Sequence, residues 1–509
     1  MVARCAEIAG VNLVDRLLGL PERQPDDRAA LVSGEETLTY GALRARVARW
    51  RGGLAEAGVG HGDRVVLVAD NSPTFVIGHL AVVGAGAAVV PLNPASPPAE
   101  LARELQAVGA SAAIVAPRAG RSWVELQTAN SPPPTLPLDR LEQAAPVPVA
   151  AVEGDTPAAL LYTSGTAGMP KPAVLTHGNL EASLLAVESL LIDLTSTPHV
   201  VLAVIPLFHV FGFNAVVNLG LAVGATIVLD DYTTPERVEE LVAGHGVTIL
   251  AGPPTLWRSL ADRPGVTPDR YATVTLALSG AAKLPPRCRL EVRDRLGLDL
   301  DEGYGLTETC AMVASSVGTD APIGSVGRLV PGVEGRIVDE RGADVLVGDP
   351  GELWVRGPMV SSGYAGRGPD GDSSTAGSAI EPGENHGSDG WLHTGDVAVV
   401  DDDGYLAIVD RLKEVVNVSG FNVFPAEVEA ALTRHPDIDA AAVIGEPSEA
   451  TGETLVAYVV PRTGAIIDDD RLTEHCRSEL ARYKVPHRFE VRETMPVGVI
   501  GKLRRRELR

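Results

Sequence analysis

Cysteine, lysine and aromatic side chains are all scarce in this sequence of 509 residues, and positive charge is in deficit. Asp and Glu outnumber Lys and Arg by 66 to 43, which gives a net charge of −23. An overall field of this sign repels polyanions, so we expect no nucleic-acid partner. The four cysteines form no CxxC pair, which argues against a disulfide framework or a zinc site and favours the reducing cytoplasm.

Long apolar runs are also rare, and only residues 75–92 approach the length of a membrane span. This run contains His79 and three glycines, so we interpret it as a helix, a glycine-rich turn and a buried strand, AAVVPL. The start of the sequence carries acidic residues and has no long apolar core, which is not typical of a signal peptide. We therefore predict no integral membrane segment.

Short β-branched runs alternate with amphipathic helical stretches along most of the chain, as in DRVVLVAD, ATIVLD and TPERVEELVAGHG. This alternation predicts an α/β fold of layered, largely parallel sheets with helices. From about residue 324 short strands and turns predominate, and after Asp410 the pattern becomes compact α+β. We expect a large N-terminal domain over 1–410, with a β-rich subdomain at about 324–410, and a small, mobile C-terminal domain over 411–509.

The segment LLYTSGTAGMPKPAVLTHGNL, residues 160–180, joins a predicted strand to a loop with hydroxyls, glycines and one lysine. Glycines let backbone amides approach phosphate oxygens, hydroxyls add donors and Lys171 adds positive charge. The spacing of Gly165, Gly168 and Lys171 differs from the Walker pattern, so the common NTPase fold is not supported. Taken alone, the segment fits a polar surface turn as well as a phosphate site.

Further motifs follow in order along the chain. DEGYGLTET offers Tyr304 as a ring that can stack on adenine and Glu308 as a carboxylate for Mg²⁺. WLHTGD ends at Asp396, whose carboxylate suits ribose hydroxyls, and Arg411 opens the next polar motif, RLKEVVNVSGFNVFPAEVE. VGVIGKLRRREL presents Lys502 after a glycine. Each of these residues has a simple structural explanation when it is considered alone.

Together and in this order, the motifs resemble those of the adenylate-forming superfamily, which includes acyl-CoA synthetases, peptide-synthetase adenylation domains and luciferases. The resemblance covers essentially the whole chain, including PLFHVFGF at 206–213. Within the superfamily, SGFNVFPAEVE and PLFHVFG look most like the fatty acyl-CoA synthetases. The resemblance implies an enzyme that uses ATP and Mg²⁺ to activate a carboxylic acid as an acyl-adenylate, and then transfers the acyl group to the thiol of CoA.

The resemblance also implies roles for single residues. Lys502, Glu308 and His209 would be catalytic, Thr163 and Glu308 would bind Mg²⁺, and Asp410 would be the hinge. Gly420 would admit the pantetheine arm of CoA. The implied ATP-binding residues are Thr163, Ser164, Gly165, Thr166, Gly168, Lys171, Gly280, Ala281, Tyr304, Gly305, Thr307, Asp396, Arg411 and Lys502. The implied acyl pocket consists of His209, Phe213, Trp257 and Gly280.

The chemistry itself requires a mobile positive charge. To form the adenylate, a carboxylate must attack a phosphate, and two unit charges 4 Å apart repel by about 4 kcal/mol at an effective dielectric near 20. Lys502 between the two anions, with Mg²⁺ on the phosphates, would meet this requirement. The second step needs other groups, so we expect the small domain to rotate during turnover.

The sequence departs from the family pattern at several positions. Ala167 stands where the family usually has Thr or Ser, and Pro172, where it usually has Gly, removes one backbone amide. Asn417 occupies a position that is lysine in luciferase-like members. Residues 366–390 look longer than usual and have no hydrophobic pattern, which predicts a flexible or disordered surface loop.

The identity of the acid is the most open question. Phe213 lies where some long-chain members have an aromatic gate, which favours a medium- or long-chain fatty acid, although a core-filling role fits equally well. An aryl acid such as a cinnamate or benzoate is an alternative. Another is a fatty acyl-AMP ligase that loads a carrier protein, but such relatives have an insertion after the glutamate motif that this sequence lacks. A non-catalytic nucleotide-binding relative is a third, and a homodimer is compatible with the sequence.

Overall fold

The computed structural model describes residues 12–129, 132–163, 171–191, 198–231, 234–366, 380–418, 421–448, 451–498 and 502–508. Within these ranges the chain forms two large mixed sheets, a four-stranded sheet and a smaller five-stranded sheet, with helices packed around them. The predicted α/β fold with a smaller C-terminal α+β part is therefore confirmed.

The helices are, in chain order, α1 (Leu13–Leu18), α2 (Tyr40–Glu56), α3 (Pro73–Gly84), α4 (Pro98–Val108), α5 (Gly120–Ala129), α6 (Leu138–Gln143), α7 (His177–Leu190), α8 (Leu219–Ala222), α9 (Pro235–His245), α10 (Pro254–Asp262), α11 (Pro286–Leu296), α12 (Pro425–Arg434) and α13 (Asp469–Glu479). A π-helical segment, Phe211–Asn218, leads directly into α8. Helix α9 shows why TPERVEELVAGHG is helical: the Thr234 hydroxyl accepts the Arg237 N–H at the start, and Gly246 ends the helix with φ of 61°.

The strands are, in chain order, β1 (Ala29–Ser33), β2 (Glu36–Thr39), β3 (Arg64–Val68), β4 (Ala88–Leu92), β5 (Ala112–Val115), β6 (Pro157–Thr163), β7 (Lys171–Thr176), β8 (Val200–Ala203), β9 (Thr226–Leu229), β10 (Ile249–Gly252), β11 (Leu276–Ser279), β12 (Leu300–Tyr304), β13 (Ala314–Ser315), β14 (Arg328–Leu329), β15 (Glu334–Val338), β16 (Gly351–Arg356), β17 (Tyr364–Ala365), β18 (Ile380–Glu381), β19 (Leu392–Val400), β20 (Leu406–Arg411), β21 (Val416–Val418), β22 (Phe421–Val423), β23 (Ile438–Ser448), β24 (Gly452–Pro461) and β25 (Arg488–Val491).

The first large sheet has the order β14-β13-β12-β11-β10-β8-β9-β1-β2, and its six strands from β12 to β1 run parallel. The second has the order β18-β17-β7-β6-β4-β3-β5, with β5, β3, β4 and β6 parallel. Buried residues of both sheets and of α2, α3 and α7 belong to one continuous hydrophobic core. The parallel strands are short apolar runs in the sequence because both of their faces are covered.

Residues 75–92 form the C-terminal part of α3, a turn at Gly86 and strand β4, so the predicted helix, turn and buried strand are confirmed. His79 is fully buried, and its Nε2 contacts the side-chain oxygen of Asn218 at 2.8 Å. Among the described residues, no helix combines the length and apolar character needed to cross a membrane.

The predicted β-rich subdomain contains the four-stranded antiparallel sheet β15-β16-β19-β20. Strand β20 ends at Arg411, one residue beyond the predicted domain boundary. Beyond it, β21 to β25 and the helices α12 and α13 pack around a separate core. Residues 367–379 of the predicted loop lie outside the described residues, while Ile380 and Glu381 pair with Ala365 and Tyr364 as strand β18.

Candidate active site

Four loops of the predicted site begin where strands of the two large sheets end. Thr163 is the last residue of β6, His209 lies in the loop after β8, and the sequence SGAA begins at the end of β11. Tyr304 is the last residue of β12. In α/β sheets, ligands bind at the carboxyl ends of parallel strands, so the fold brings loops that are far apart in sequence to one cleft.

The two ends of the predicted phosphate loop lie opposite each other. Thr163 and Lys171 are cross-strand partners of β6 and β7, and the Thr163 hydroxyl donates to the Lys171 carbonyl at 3.2 Å. The predicted residues Ser164, Gly165, Thr166 and Gly168, and the atypical Ala167, lie outside the described residues. The hairpin therefore fixes where the loop starts and ends.

The segment 305–311 makes a tight turn at the cleft. A Cβ on Gly305 would lie 1.9 Å from the carbonyl oxygen of Ala311, so only glycine fits there. Two residues with side chains, Cys310 and Ala311, have φ of 55° and 94°, and Ala281 in the SGAA loop has φ of 67°. Left-handed backbone at such residues costs free energy and is common at functional sites.

Glu308, at the centre of this turn, is held by residues of a distant segment. Its carboxylate accepts a hydrogen bond of 2.5 Å from the Tyr364 hydroxyl, and its carbonyl accepts the Ser361 N–H at 2.7 Å. The Asn385 amide donates to the same hydroxyl at 3.1 Å. Lys171 Nζ lies 5.9 Å from the centre of the Tyr364 ring. Tyr364 therefore stands between the phosphate-loop lysine and the predicted metal ligand.

Asp396 is deeply buried and has two strong partners. Arg411 Nε lies 2.6 Å from one carboxylate oxygen, and the Tyr304 hydroxyl donates to the other at 2.6 Å. Burial raises the pKa of Asp396, and the Arg411 guanidinium opposes this rise. Burial, followed by the charge of Asp396, raises the pKa of Tyr304 well above its ordinary value, so its hydroxyl stays a donor. These predicted ribose and adenine residues thus form one hydrogen-bonded group.

Lys502 belongs to a hairpin-like segment near the chain end and approaches this group from the C-terminal domain. The Lys502 carbonyl accepts the Gly498 N–H at 2.7 Å, and Arg505 is anchored by ion pairs with Glu414 and Glu429. Desolvation, followed by the charge of Arg411, lowers the pKa of Lys502 to about 8, while Asp396 partly opposes this effect. The ammonium group thus lies within electrostatic range of the predicted ribose site.

His209 lies on the same side of the cleft. Desolvation lowers its pKa to about 4, and the positive charge of Lys502 contributes. Its Nδ1 accepts the Phe211 N–H at 3.3 Å, so the neutral ring carries its proton on Nε2. His209 is therefore an uncharged hydrogen-bond donor at neutral pH, close to the lysine ammonium.

The oxygen donors fit a magnesium ion that arrives with ATP. Within the described ranges, no group of three or more His, Cys, Asp or Glu side chains could hold a metal. The turn that carries Glu308 packs against β6 and β7, which places a carboxylate and the Thr163 hydroxyl in the same region. Mg²⁺ characteristically combines one or two protein oxygens with substrate phosphates and waters.

The residues predicted for the acyl pocket have different surroundings. Phe213 is fully buried against the His79 ring, with 4.3 Å between ring centres. Trp257 is also fully buried, and its indole N–H donates to the carbonyls of Gly252 and Leu278 at 3.2 Å. A Cβ on Gly280 would meet the Phe211 ring at 3.2 Å, so this glycine allows the close approach of two loops.

A separate apolar cavity of about 40 Å³ lies behind these loops. Its walls come from α7, the π-helical segment and strands β8, β10 and β11, and include Val187, Ala215, Leu278 and Met312. None of the four residues predicted for the acyl pocket lines this cavity. Their pocket role stays a prediction, and the cavity is a feature that the sequence did not indicate.

Asp410, the predicted hinge residue, contacts both predicted domains, whereas Gly420 lies outside the described residues. The Asp410 backbone pairs with Val397 in the four-stranded sheet, while its carboxylate accepts the N–H of Ala426 in α12 at 2.7 Å. Further away, Arg258 of α10 forms an ion pair with Asp439 of β23. Both contacts, made by described residues, join the predicted C-terminal domain to the large one.

Sequence reasoning missed several residues of this site. Tyr364 gave no signal beyond its aromatic ring, because its contact with Glu308 joins segments 56 residues apart. Asn214 donates to the Cys310 carbonyl of the Glu308 turn at 2.8 Å and accepts from Asn218 at 3.1 Å. These two residues did give a signal, since two amides four residues apart in FGFNAVVNLG share one face of an otherwise apolar helix.

Comparison with known proteins places these features in a family. The AMP-binding enzyme family matches residues 20–365, and the AMP-binding enzyme C-terminal domain matches residues 427–502. A feruloyl-CoA synthase from Amycolatopsis sp. is 36% identical and covers 96% of each chain. A long-chain-fatty-acid–CoA ligase from Yersinia pestis is 31% identical and covers 95% of this chain and 91% of its own.

The fold comparison agrees with the sequence comparison. ATP-bound MatB from Rhodopseudomonas palustris is similar with a TM-score of 0.88 and 29% identity, over 98% of both chains. The two family matches together cover both domains in the expected order. The chain therefore belongs to the AMP-binding enzyme family, and it is an AMP-forming acid–thiol ligase.

Proposed function

We propose that the protein is an ATP-dependent CoA ligase for a carboxylic acid with an extended apolar tail, such as a medium- or long-chain fatty acid. The observation that supports this most is the lining of the apolar cavity. Among the described residues that form its walls, Ser315 alone has a polar side chain, and its hydroxyl already accepts the Val317 N–H at 3.2 Å. An aliphatic tail needs no polar partner and gains about 0.8 kcal/mol per buried methylene group.

A hydroxylated aromatic acid is the second candidate. It is favoured by the relatives, which include the feruloyl-CoA synthase and a 4-coumarate–CoA ligase from Oryza sativa that is 32% identical. Against it, Ser315 is the one polar side chain among the described residues that line the cavity, and a ring hydroxyl that did not reach it would cost about 1–3 kcal/mol. The described residues that line the cavity also include no aromatic side chain for ring stacking.

The charges of the cleft suit the first half-reaction. The Lys502 ammonium would lie between the acid carboxylate and the α-phosphate and reduce their repulsion. Neutral His209 would donate from Nε2 to the acid without adding charge, and Asp396 with Arg411 would orient the ribose. Glu308 and Thr163 would hold Mg²⁺, which neutralises phosphate charge when it is bound.

Thioester formation would follow after the small domain has turned. The Arg258–Asp439 ion pair joins the two domains, so this pair would have to open for the turn. CoA is favoured as acceptor over a carrier protein because the chain continues from the Glu308 turn directly into β13, without an inserted element.

The proposal is tested by pyrophosphate release and thioester yield over a panel of acids. The panel contains butyrate, octanoate, decanoate, palmitate, cinnamate, 4-coumarate and ferulate, each with CoA, with a carrier protein or with neither. We expect kcat/KM to rise with tail length and thioester to require CoA. Preference for 4-coumarate or ferulate over every fatty acid would establish the second candidate instead.

A cavity-filling variant makes the test specific. Ala215→Phe places a ring in the cavity and should lower kcat/KM for decanoate at least about tenfold, since lost burial of two methylene groups already accounts for that factor. The rate with butyrate should change little, because its tail is too short to reach the cavity. Ala55→Phe, at an exposed alanine of α2, is the matched control. Equal losses for butyrate and decanoate would contradict the assignment of the cavity to the tail.

A further inference from the structure

The turn that presents Glu308 depends on contacts from outside itself. Cys310 and Ala311 follow Glu308 closely, and both have left-handed backbone although neither is glycine. Such a conformation persists only where surrounding contacts hold it. The position of the Glu308 turn is therefore determined by whatever holds the peptide groups of Cys310 and Ala311.

Two buried side chains hold the carbonyl of Cys310. The Asn214 amide donates to it at 2.8 Å and the Ser183 hydroxyl donates at 3.1 Å, and both side chains are 2% exposed. Asn214 also donates to the Ser183 hydroxyl at 3.2 Å. The two donors share one carbonyl, so together they fix its position, and loss of either donor leaves the other hydrogen bond in place.

The orientation of the Asn214 side chain is itself fixed by a series of buried hydrogen bonds, each with a defined donor and acceptor. His79 Nε2 donates to the side-chain oxygen of Asn218, and Asn218 Nδ2 donates to the side-chain oxygen of Asn214 at 3.1 Å. Asn214 is thereby left with its amide hydrogens for Ser183 and for the Cys310 carbonyl. This series of hydrogen bonds runs from the core of the large domain to the turn that carries Glu308.

Asn214 adjoins the cavity wall without lining it. It lies in the π-helical segment Phe211–Asn218, and the next residues, Ala215 and Val216, line the apolar cavity. The cavity measures about 40 Å³. A buried cavity that accepts benzene measures about 150 Å³, so an acyl tail can enter only if the walls move apart. Movement of the π-helical segment would move Asn214.

We propose that Asn214 is a positioning residue that couples occupancy of the cavity by the acyl tail to the position of Glu308. Entry of the tail displaces the π-helical segment, and the Asn214 amide transmits this displacement through the Cys310 carbonyl to the turn. The acid and the magnesium complex of ATP then bind with positive coupling. The inference rests on the proposed acyl site. Coupling between sites in one domain is typically about 5- to 150-fold in affinity, and we expect about tenfold here.

The test is the affinity of a non-hydrolysable ATP analogue with Mg²⁺, measured by calorimetry with and without saturating decanoate. In the unaltered protein decanoate should tighten binding about tenfold, while butyrate, whose tail is too short to fill the cavity, should have little effect. In Asn214→Ala the factor for decanoate should fall to about two or less. The matched control is Ser183→Ala, which removes the other hydrogen bond to the same carbonyl, keeps the link through the π-helical segment, and should keep most of the coupling.

The possible results distinguish a failure of the role of Asn214 from a failure of the proposed function. Unchanged coupling in Asn214→Ala, or an equal loss in Ser183→Ala, would overturn the role of Asn214. If Asn214→Ala does not fold, equal effects of butyrate and decanoate on the unaltered protein would overturn it as well. If no tailed acid is adenylated in the pyrophosphate assay, the proposed function itself fails, whereas adenylation of decanoate without coupling refutes this inference alone.

Discussion

The pH dependence of adenylation should report the ionisation of Lys502. Desolvation and the neighbouring Arg411 lower the pKa of its ammonium group to about 8. The charged form exists below the pKa and is lost above it, so about nine-tenths is charged at pH 7 and about one-tenth at pH 9. If catalysis needs the charge, kcat/KM for ATP in pyrophosphate exchange should fall about tenfold over this interval.

The ATP-bound complex gives an internal check. kcat/KM reports the free enzyme and kcat reports the complex, in which the phosphate charges raise the pKa of the ammonium group. The fall in kcat should therefore occur at higher pH than the fall in kcat/KM. His209 cannot produce this fall, because its pKa of about 4 keeps it neutral over the whole range.

Substitution of Lys502 provides the decisive controls. In Lys502→Arg the guanidinium group stays charged throughout this interval. The kcat/KM of this variant should therefore be lower than that of the unaltered protein but flat between pH 7 and 9. Lys502→Ala should lose adenylation by about 10²- to 10³-fold, as expected when one preorganised stabilising group is removed, yet should largely retain thioester formation from supplied acyl-adenylate. A fall with the same midpoint in Lys502→Arg, or equal loss of both half-reactions in Lys502→Ala, would refute the assignment.

Two further predictions concern the turn and the domain contact. Ala311→Gly should raise the free energy of unfolding in urea by about 1 kcal/mol, because the strain relieved at a φ of 94° exceeds the effect of glycine's added freedom in the unfolded chain; a decrease would show that it does not. Loss of the Arg258–Asp439 ion pair in Asp439→Asn should lower adenylation relative to thioester formation by about two- to fivefold, the effect of a partly exposed pair. The reversed pair, Arg258→Asp with Asp439→Arg, should restore the ratio, and a further loss in that double variant would contradict a role in domain placement.

Much of the fold could be predicted because its elements are determined locally. Strands β3 and β9 coincide with the runs DRVVLVAD and ATIVLD, and α9 coincides with TPERVEELVAGHG. Buried parallel strands need apolar residues on both faces, and helices need polar groups at their starts, so both leave local signals. Chemistry left signals too, since the predicted residues Tyr304, Asp396 and Arg411 converge on one hydrogen-bonded group.

The features that could not be predicted from the sequence depend on contacts between distant segments. The sequence FGFNAVVNLG has helical periodicity, but its π-helical geometry leaves no separate pattern in the letters. Local preference would favour glycine at Cys310 and Ala311, and bonds from Asn214 and Ser183 override that preference. The cavity is formed by gaps between side chains of several elements, so no single segment could indicate it.

Asp410 is bonded to both domains at once, through its backbone to one and through its side chain to the other. While the bond to Ala426 persists, the start of α12 stays within one side-chain length of the sheet edge. Torsional change would then be confined to Asp410 and the residues up to Ala426. In the proposed rotation, the small domain would turn about a nearly fixed point instead of moving away from the sheet. The two proposed orientations would therefore differ by an angle alone, and each return would bring Lys502 back to the same place.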